Sequence, residues 1–264
     1  MRTLPPALLA TVLLATLSAT LVAQEQTDPK KPETKPAAKP DVQATQTQDA
    51  AASKPLVLSL GMRASGGIVL KDIDGNEHRA KSYQGKVTVV NFYSTQCPIQ
   101  AAWDDRLAAI QNEFGKKDVV FLNIDSNRTE IGDQPPVVSG DEKPYDSIRK
   151  HLKAKDLPFT VLVDHGNVVA DLFGAKTTPD IFVFGKDGKL VYRGLIDDDQ
   201  AQRKGDQAKR YLHDVLTKLV AGETVEAFET KPQGCSIKRM PKADASGGEP
   251  TRRRPRQGRG DGKQ

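Results

Sequence analysis

The 264-residue chain is short of the groups that most often advertise a function. It contains two cysteines, Cys97 and Cys235, far apart in sequence, so there is no Cys-x-x-Cys pair and no dense disulfide framework. Its four histidines, His78, His151, His165 and His213, are scattered without the spacing that metal ligands show, and we expect no metal site. No motif calls for an organic cofactor. Hydrophobic residues make up 37% of the chain, and outside the extreme N-terminus there is no apolar run of the roughly 18 residues that a membrane-spanning helix needs. Aromatic side chains are absent before Tyr83 and after Phe228. A packed core needs such side chains to offset backbone entropy, so the folded part is expected at residues 56–240, one domain's worth of chain.

What the sequence does have in excess is positive charge, with 39 Lys+Arg against 34 Asp+Glu and a net charge of +5. Arg2 supplies one unit, while residues 24–55 hold five charges of each sign and residues 56–240 hold 26 of each. Residues 241–264 hold seven basic and three acidic side chains. The body is neutral, and a specific nucleic-acid partner is not expected. Residues 1–23 combine Arg2, the apolar stretch Ala7 to Ala15 and small residues at Ala19 and Ala23, the pattern of a cleavable export signal. An N-terminal membrane anchor is the alternative, and either places the protein in a periplasmic or extracellular space. Residues 24–55 carry five prolines and no aromatic, and read as a disordered Pro/Lys/Gln-rich linker. Residues 241–264, with Arg252, Arg253, Arg254, Arg256 and Arg259, read as a basic disordered tail that can contact anionic surfaces.

Within the body, Ile68 to Ile73 followed by Asp74-Gly75-Asn76 predicts an N-terminal β-hairpin. Val87 to Tyr93 is a continuous β-branched and aromatic run, as a strand buried on both faces requires. Ser94-Thr95-Gln96-Cys97 ends it, and Pro98 suits the first turn of a helix that runs on through Trp103, Leu107, Ile110 and Phe114. Val119 to Ile124 predicts a second buried strand, and strand, helix, strand implies a right-handed crossover joining a parallel pair. Residues 126–142 read as an inserted loop, Tyr145 to Leu152 as a helix, Phe159 to Val163 as a strand and Asn167 to Phe173 as a short helix. Ile181 to Phe184 and Leu190 to Arg193 predict a hairpin turned at Asp187-Gly188, and Tyr211 to Val220 a closing amphipathic helix. Asp197-Asp198-Asp199 reads as a solvated connection rather than a cation site.

Cys97 is the residue with the most chemistry to offer. It falls between a buried strand and a helix start, where free backbone N–H groups and the helix dipole favour a thiolate over a thiol. A thiolate there attacks a disulfide or a peroxide. Beside Pro98 on the connecting loop it is expected to be exposed rather than a buried structural cysteine.

The stretch Val-Thr-Val-Val-Asn-Phe-Tyr-Ser-Thr-Gln-Cys-Pro-Ile-Gln, residues 87–100, resembles the active-site strand, loop and helix of the thioredoxin-like superfamily. The nearest likeness is to the redoxin branch, of alkyl hydroperoxide reductase/thiol-specific antioxidant type, which includes exported thiol-disulfide oxidoreductases. Thr178-Pro179 stands where that family has its cis-proline, and Asp187 to Gly194 resembles its final hairpin. The likeness covers about residues 66–220 and implies an α/β thioredoxin-like fold, a central mixed sheet flanked by helices, here with the N-terminal hairpin as an extension. It also implies that Thr178, Pro179, Ser94 and Gln100 shape the substrate surface around Cys97.

The sequence departs from both familiar versions of the family. Gln100 occupies the place of the second thiol in the disulfide-exchanging branch, so no local dithiol cycle is open to Cys97. The peroxidase branch has Pro and Thr seven and three residues before its reactive cysteine, where this chain has Val90 and Ser94. Cys235, in Gly234-Cys235-Ser236-Ile237-Lys238, supplies a distant alternative: a resolving thiol, a partner in an inert disulfide, or an independent thiol. The leading expectation is an exported thiol oxidoreductase with Cys97 as nucleophile and Cys235 resolving it. It would act on protein thiols or disulfides and be recharged by a reducing partner protein. The alternatives are a one-Cys, peroxiredoxin-like peroxidase and a non-catalytic binding module with a structural disulfide.

Overall fold

The computed structural model describes residues 57–140 and 142–241, so the expected signal, linker and basic tail lie outside the described residues. The N-terminal hairpin is present as β1 (Val69–Asp72) and β2 (Glu77–Arg79). The expected buried strands are β3 (Val87–Tyr93) and β4 (Val119–Asp125), paired in parallel, with β5 (Val161–Val163) parallel to β4 on the far side. After the two-residue strand β6 (Thr177–Thr178) come β7 (Asp180–Phe184), antiparallel to β3, and β8 (Leu190–Gly194), antiparallel to β7. Phe228–Glu229 adds β9 at one edge, giving a mixed eight-stranded sheet in the order β2-β1-β5-β4-β3-β7-β8-β9. Cys235–Ser236, β10, does not join it and pairs instead with β6.

All seven residues of β3 are buried, and their alternation divides the molecule into two cores. Val87, Val89 and Tyr93 face α2 (Asp104–Gly115), α4 (Asp146–Ala154) and α6 (Tyr211–Val220), packing with Leu107, Phe114, Ile148 and Leu212. Val90 and Phe92 point the other way, toward α5 (Val168–Phe173), where Phe92, Phe173 and Phe182 meet edge to face. Burying each such aromatic stabilises the fold by about 1.5–3 kcal/mol.

Three expectations require correction. The helix expected to run unbroken from Pro98 is two: α1 (Pro98–Ala101) stops, and α2 restarts at Asp104. The break falls at Trp103, whose side chain is buried and whose indole N–H donates to Asp197 at 2.8 Å. That contact lies far along the chain and leaves no local mark in the sequence. The stretch expected to be loop contains a helical turn, α3 (Arg128–Ile131), seated over the end of β4, while residues 132–140 are irregular as expected. The acidic triplet is not solvated either. Asp197 and Asp199 are buried, Asp197 gripping Trp103 and Arg106, and Asp199 accepting the backbone N–H groups of Arg203 and Lys204. These bonds satisfy carboxylates that could not otherwise leave water.

Candidate active site

Because β3 and β4 run parallel with Tyr93 opposite Asp125, the segments that leave their C-terminal ends emerge at the same edge of the sheet. In α/β sheets that edge is where ligand sites are built. From β3 come Ser94 to Cys97, from β4 come Ser126 to Glu130, and Thr178-Pro179 arrives just ahead of β7.

Cys97 is the N-cap of α1, and its sulfur accepts the Gln100 backbone N–H at 3.3 Å. The thiol donates to the backbone carbonyl of Thr178 at 3.0 Å. The peptide bond between Thr178 and Pro179 is cis, which turns that carbonyl toward the cysteine. Cys97 is only 2% exposed, contrary to the expected exposed position on the loop. The physical reason lies at the other end of the chain, where β10 packs over α1 and the Thr178 strand.

That segment carries Cys235. In the antiparallel pair, Cys235 stands directly opposite Thr178, the residue whose carbonyl meets the Cys97 thiol. Both cysteines are free thiols. Burial raises the Cys235 pKa, and the hydrogen-bonding Cys97 thiol beside it raises it further, against the Ile99 backbone N–H and Lys238. Two residues so distant in sequence are thus brought together at Thr178. Gly234 permits it, since a Cβ there would stand 2.1 Å from the Thr178 carbonyl oxygen.

Ser94 and Gln100 are placed differently from Thr178 and Pro179. Ser94 donates its hydroxyl to Glu130 rather than to Cys97. Gln100 is fully buried and gives its side-chain N–H to Asp104 at 3.0 Å, so it presents nothing to a substrate surface.

Nothing in the sequence marks Glu130 or Asn127 as part of this site. Glu130 also accepts the Thr95 backbone N–H at 2.7 Å and the Thr95 hydroxyl, which fixes the turn that presents Cys97. Behind it, Asp125 is held well above the usual carboxylate range, chiefly by burial and next by the Glu130 charge. Asn127 donates to the Tyr93 carbonyl at 3.2 Å and accepts the Lys238 N–H at 3.0 Å, joining the end of β3 to the segment that carries Cys235. Only the common sheet edge could have pointed to either residue.

Next to the cis-proline, Asp180 is buried against Arg193 at 2.9 Å, and burial, opposed by that arginine, lifts its pKa to about 6. Among the described residues no group of three or more His, Cys, Asp or Glu side chains is placed to hold a metal ion.

A cysteine capping the helix after the central strand, facing a cis-proline loop across the end of a mixed sheet, is a thioredoxin-like arrangement. Residues 66–193 match the model of the AhpC/TSA family. The chain is 24% identical over 167 residues to thiol-disulfide oxidoreductase ResA of Bacillus cereus, an alignment spanning 63% of this chain and 82% of that protein. Among solved structures it is similar to an uncharacterized conserved protein from Geobacillus kaustophilus, with a TM-score of 0.60 and 28% identity over 71% of this chain and 95% of the other. A hypothetical protein from Sinorhizobium meliloti 1021 is similar at a TM-score of 0.56 and 26% identity, over 69% of this chain and 96% of the other.

Proposed function

We propose that this redoxin domain is an exported thiol-disulfide oxidoreductase in which Cys97 is the nucleophile and Cys235 the resolving thiol. The observation that carries the reading is the meeting of both cysteines on Thr178, one through its thiol and the other through strand pairing. The 24% identity to a thiol-disulfide oxidoreductase over most of that protein's length supports the same chemistry.

The cycle starts from the two free thiols. The Cys97 thiolate attacks one sulfur of a substrate disulfide, forming a mixed disulfide and releasing the other substrate sulfur as a thiolate. Cys235, deprotonated, then attacks the Cys97 sulfur, forming the Cys97–Cys235 disulfide and releasing the second substrate thiol. The substrate gains two electrons and two protons, and the protein loses them. A dithiol partner protein restores the starting state by the reverse exchange. In this scheme Gln100 at the place of a nearby second thiol is no obstacle, because the resolving sulfur is delivered from the C-terminal segment. Cys235 titrates above its ordinary range, which keeps it protonated until it is needed and makes resolution faster as pH rises.

The peroxidase reading is less well supported, since the Ser94 hydroxyl is committed to Glu130 and does not reach the Cys97 sulfur. Export rests on the pattern of residues 1–23. Among the described residues no helix is long and apolar enough to cross a membrane.

Reduction of a chromogenic aromatic disulfide tests the assignment. The wild type should react and Cys97→Ser should not, while Cys235→Ser should halt as an adduct on Cys97 visible by intact mass. Equal rates in wild type and Cys97→Ser would refute it.

A further inference from the structure

An extended peptide recognised by a protein of this construction would add a strand to the exposed edge of a short segment beside the reactive sulfur, with main-chain hydrogen bonds supplying the affinity. Here that edge is taken. Ser236 and Cys235 pair with Thr177 and Thr178, and the Ile237 N–H donates to the Lys176 carbonyl at 3.0 Å. The segment is fastened further on: Arg128 N–H gives to the Lys238 carbonyl at 2.8 Å, Met240 N–H to the Asn167 side chain at 2.7 Å, and Ile237 is buried in the α5 core. Gly234 completes the fit, because any side chain there would strike the Thr178 carbonyl.

We propose that residues 234–240 are a resident strand that determines substrate class: while docked, they refuse polypeptide disulfides at Thr178 and leave Cys97 to low-molecular-weight disulfides. This rests on the oxidoreductase reading above. The physical argument is competition between a tethered and a free strand. A tethered segment presents itself at an effective concentration on the order of millimolar, so a polypeptide at micromolar concentration loses the edge to it. A small disulfide needs no strand edge, only momentary access to sulfur. Gly234 and Ile237 are therefore specificity-determining residues that touch neither substrate nor reacting sulfur.

The test uses the full chain, reduced, with Gly234→Val and Ile237→Asp as two independent ways of lifting the strand while keeping Cys235. Rate constants for forming the Cys97 mixed disulfide are measured against oxidised glutathione and against an extended peptide containing a disulfide, and hydrogen exchange at residues 177, 178 and 235–237 reports whether the strand is docked. The expected result is that both variants lose exchange protection and raise the peptide-to-glutathione rate ratio by about tenfold or more. An unchanged ratio in variants whose strand has been lifted, with glutathione still reacting, overturns this inference alone. Retained exchange protection in both variants also overturns it, since the strand would then not depend on the contacts that define it. Failure of Cys97 to react with either disulfide in any variant overturns the oxidoreductase reading and this inference with it.

Discussion

The two cysteines meet at Thr178 but are held by opposite kinds of structure. Cys97 follows β3, all of whose residues are buried and packed on both faces, in the manner of a central strand. Cys235 rides on a segment whose pairing covers two residues and whose one buried apolar side chain, after the cysteine, is Ile237. Its other attachments are hydrogen bonds, each contributing about 0.5–1.5 kcal/mol net. Hydrophobic burial fixes Cys97 with the global stability of the fold, whereas a set of polar bonds gives Cys235 a smaller, local stability. The resolving role proposed for Cys235 benefits from that difference, because a resolving thiol must reach a sulfur that has just become bonded to something else.

The largest effect expected from breaking the comparison is on the β3 side. Phe92→Ala removes a ring packed against Phe173 and Phe182 and should cost roughly 3–5 kcal/mol in chemical denaturation. Both cysteines should become alkylatable together, since the platform carries the strand. A smaller effect is expected at the joint between the two regions. Asn127→Ala leaves the Lys238 N–H and the Tyr93 carbonyl without their side-chain partner and should cost about 1–3 kcal/mol. In hydrogen exchange that loss should appear in residues 235–240 before it appears in β3. If β3 and the C-terminal segment lose protection in parallel, the division between them is wrong.

A third effect, read through pH, sharpens the comparison. Asp180, just past the cis-proline, has its pKa raised to about 6 by burial, above the roughly 3.9 of an unfolded aspartate. Its protonated form therefore favours the folded state. That contribution is complete below about pH 4 and is lost as pH rises through 6. Denaturation of the wild type across this window should include a downward component that Asp180→Asn removes. A variant with the same slope as the wild type would assign the pH dependence to other groups, such as Asp125, whose pKa is also raised.

How much of this was readable beforehand follows from where the determining contacts lie. The run Val87 to Tyr93 announces a central strand because the burial of every residue is written in the residues themselves. Cys97-Pro98 and Thr178-Pro179 were likewise legible as local junctions, and the structure sets them against each other at 3.0 Å. The break at Trp103 was not, because it accompanies a bond to Asp197 that only the fold brings near. The acidic triplet looked solvated for the same reason, its partners Trp103 and Arg106 coming from another element. Two-residue strands such as β10 carry no periodicity at all, so the cover over Cys97 was invisible. Glu130 sits on a single helical turn inside what reads as loop, and its role depends on the parallel register of β3 and β4.

The most direct test of the central claim, that Cys97 and Cys235 form one redox unit, is the mass spectrum of the proteolysed protein after mild oxidation and thiol trapping. A peptide pair linked through Cys97 and Cys235, absent after prior reduction, is the expected result. Recovery of both cysteines as separately alkylated peptides, with neither a bridge nor an adduct on Cys97, would contradict the account.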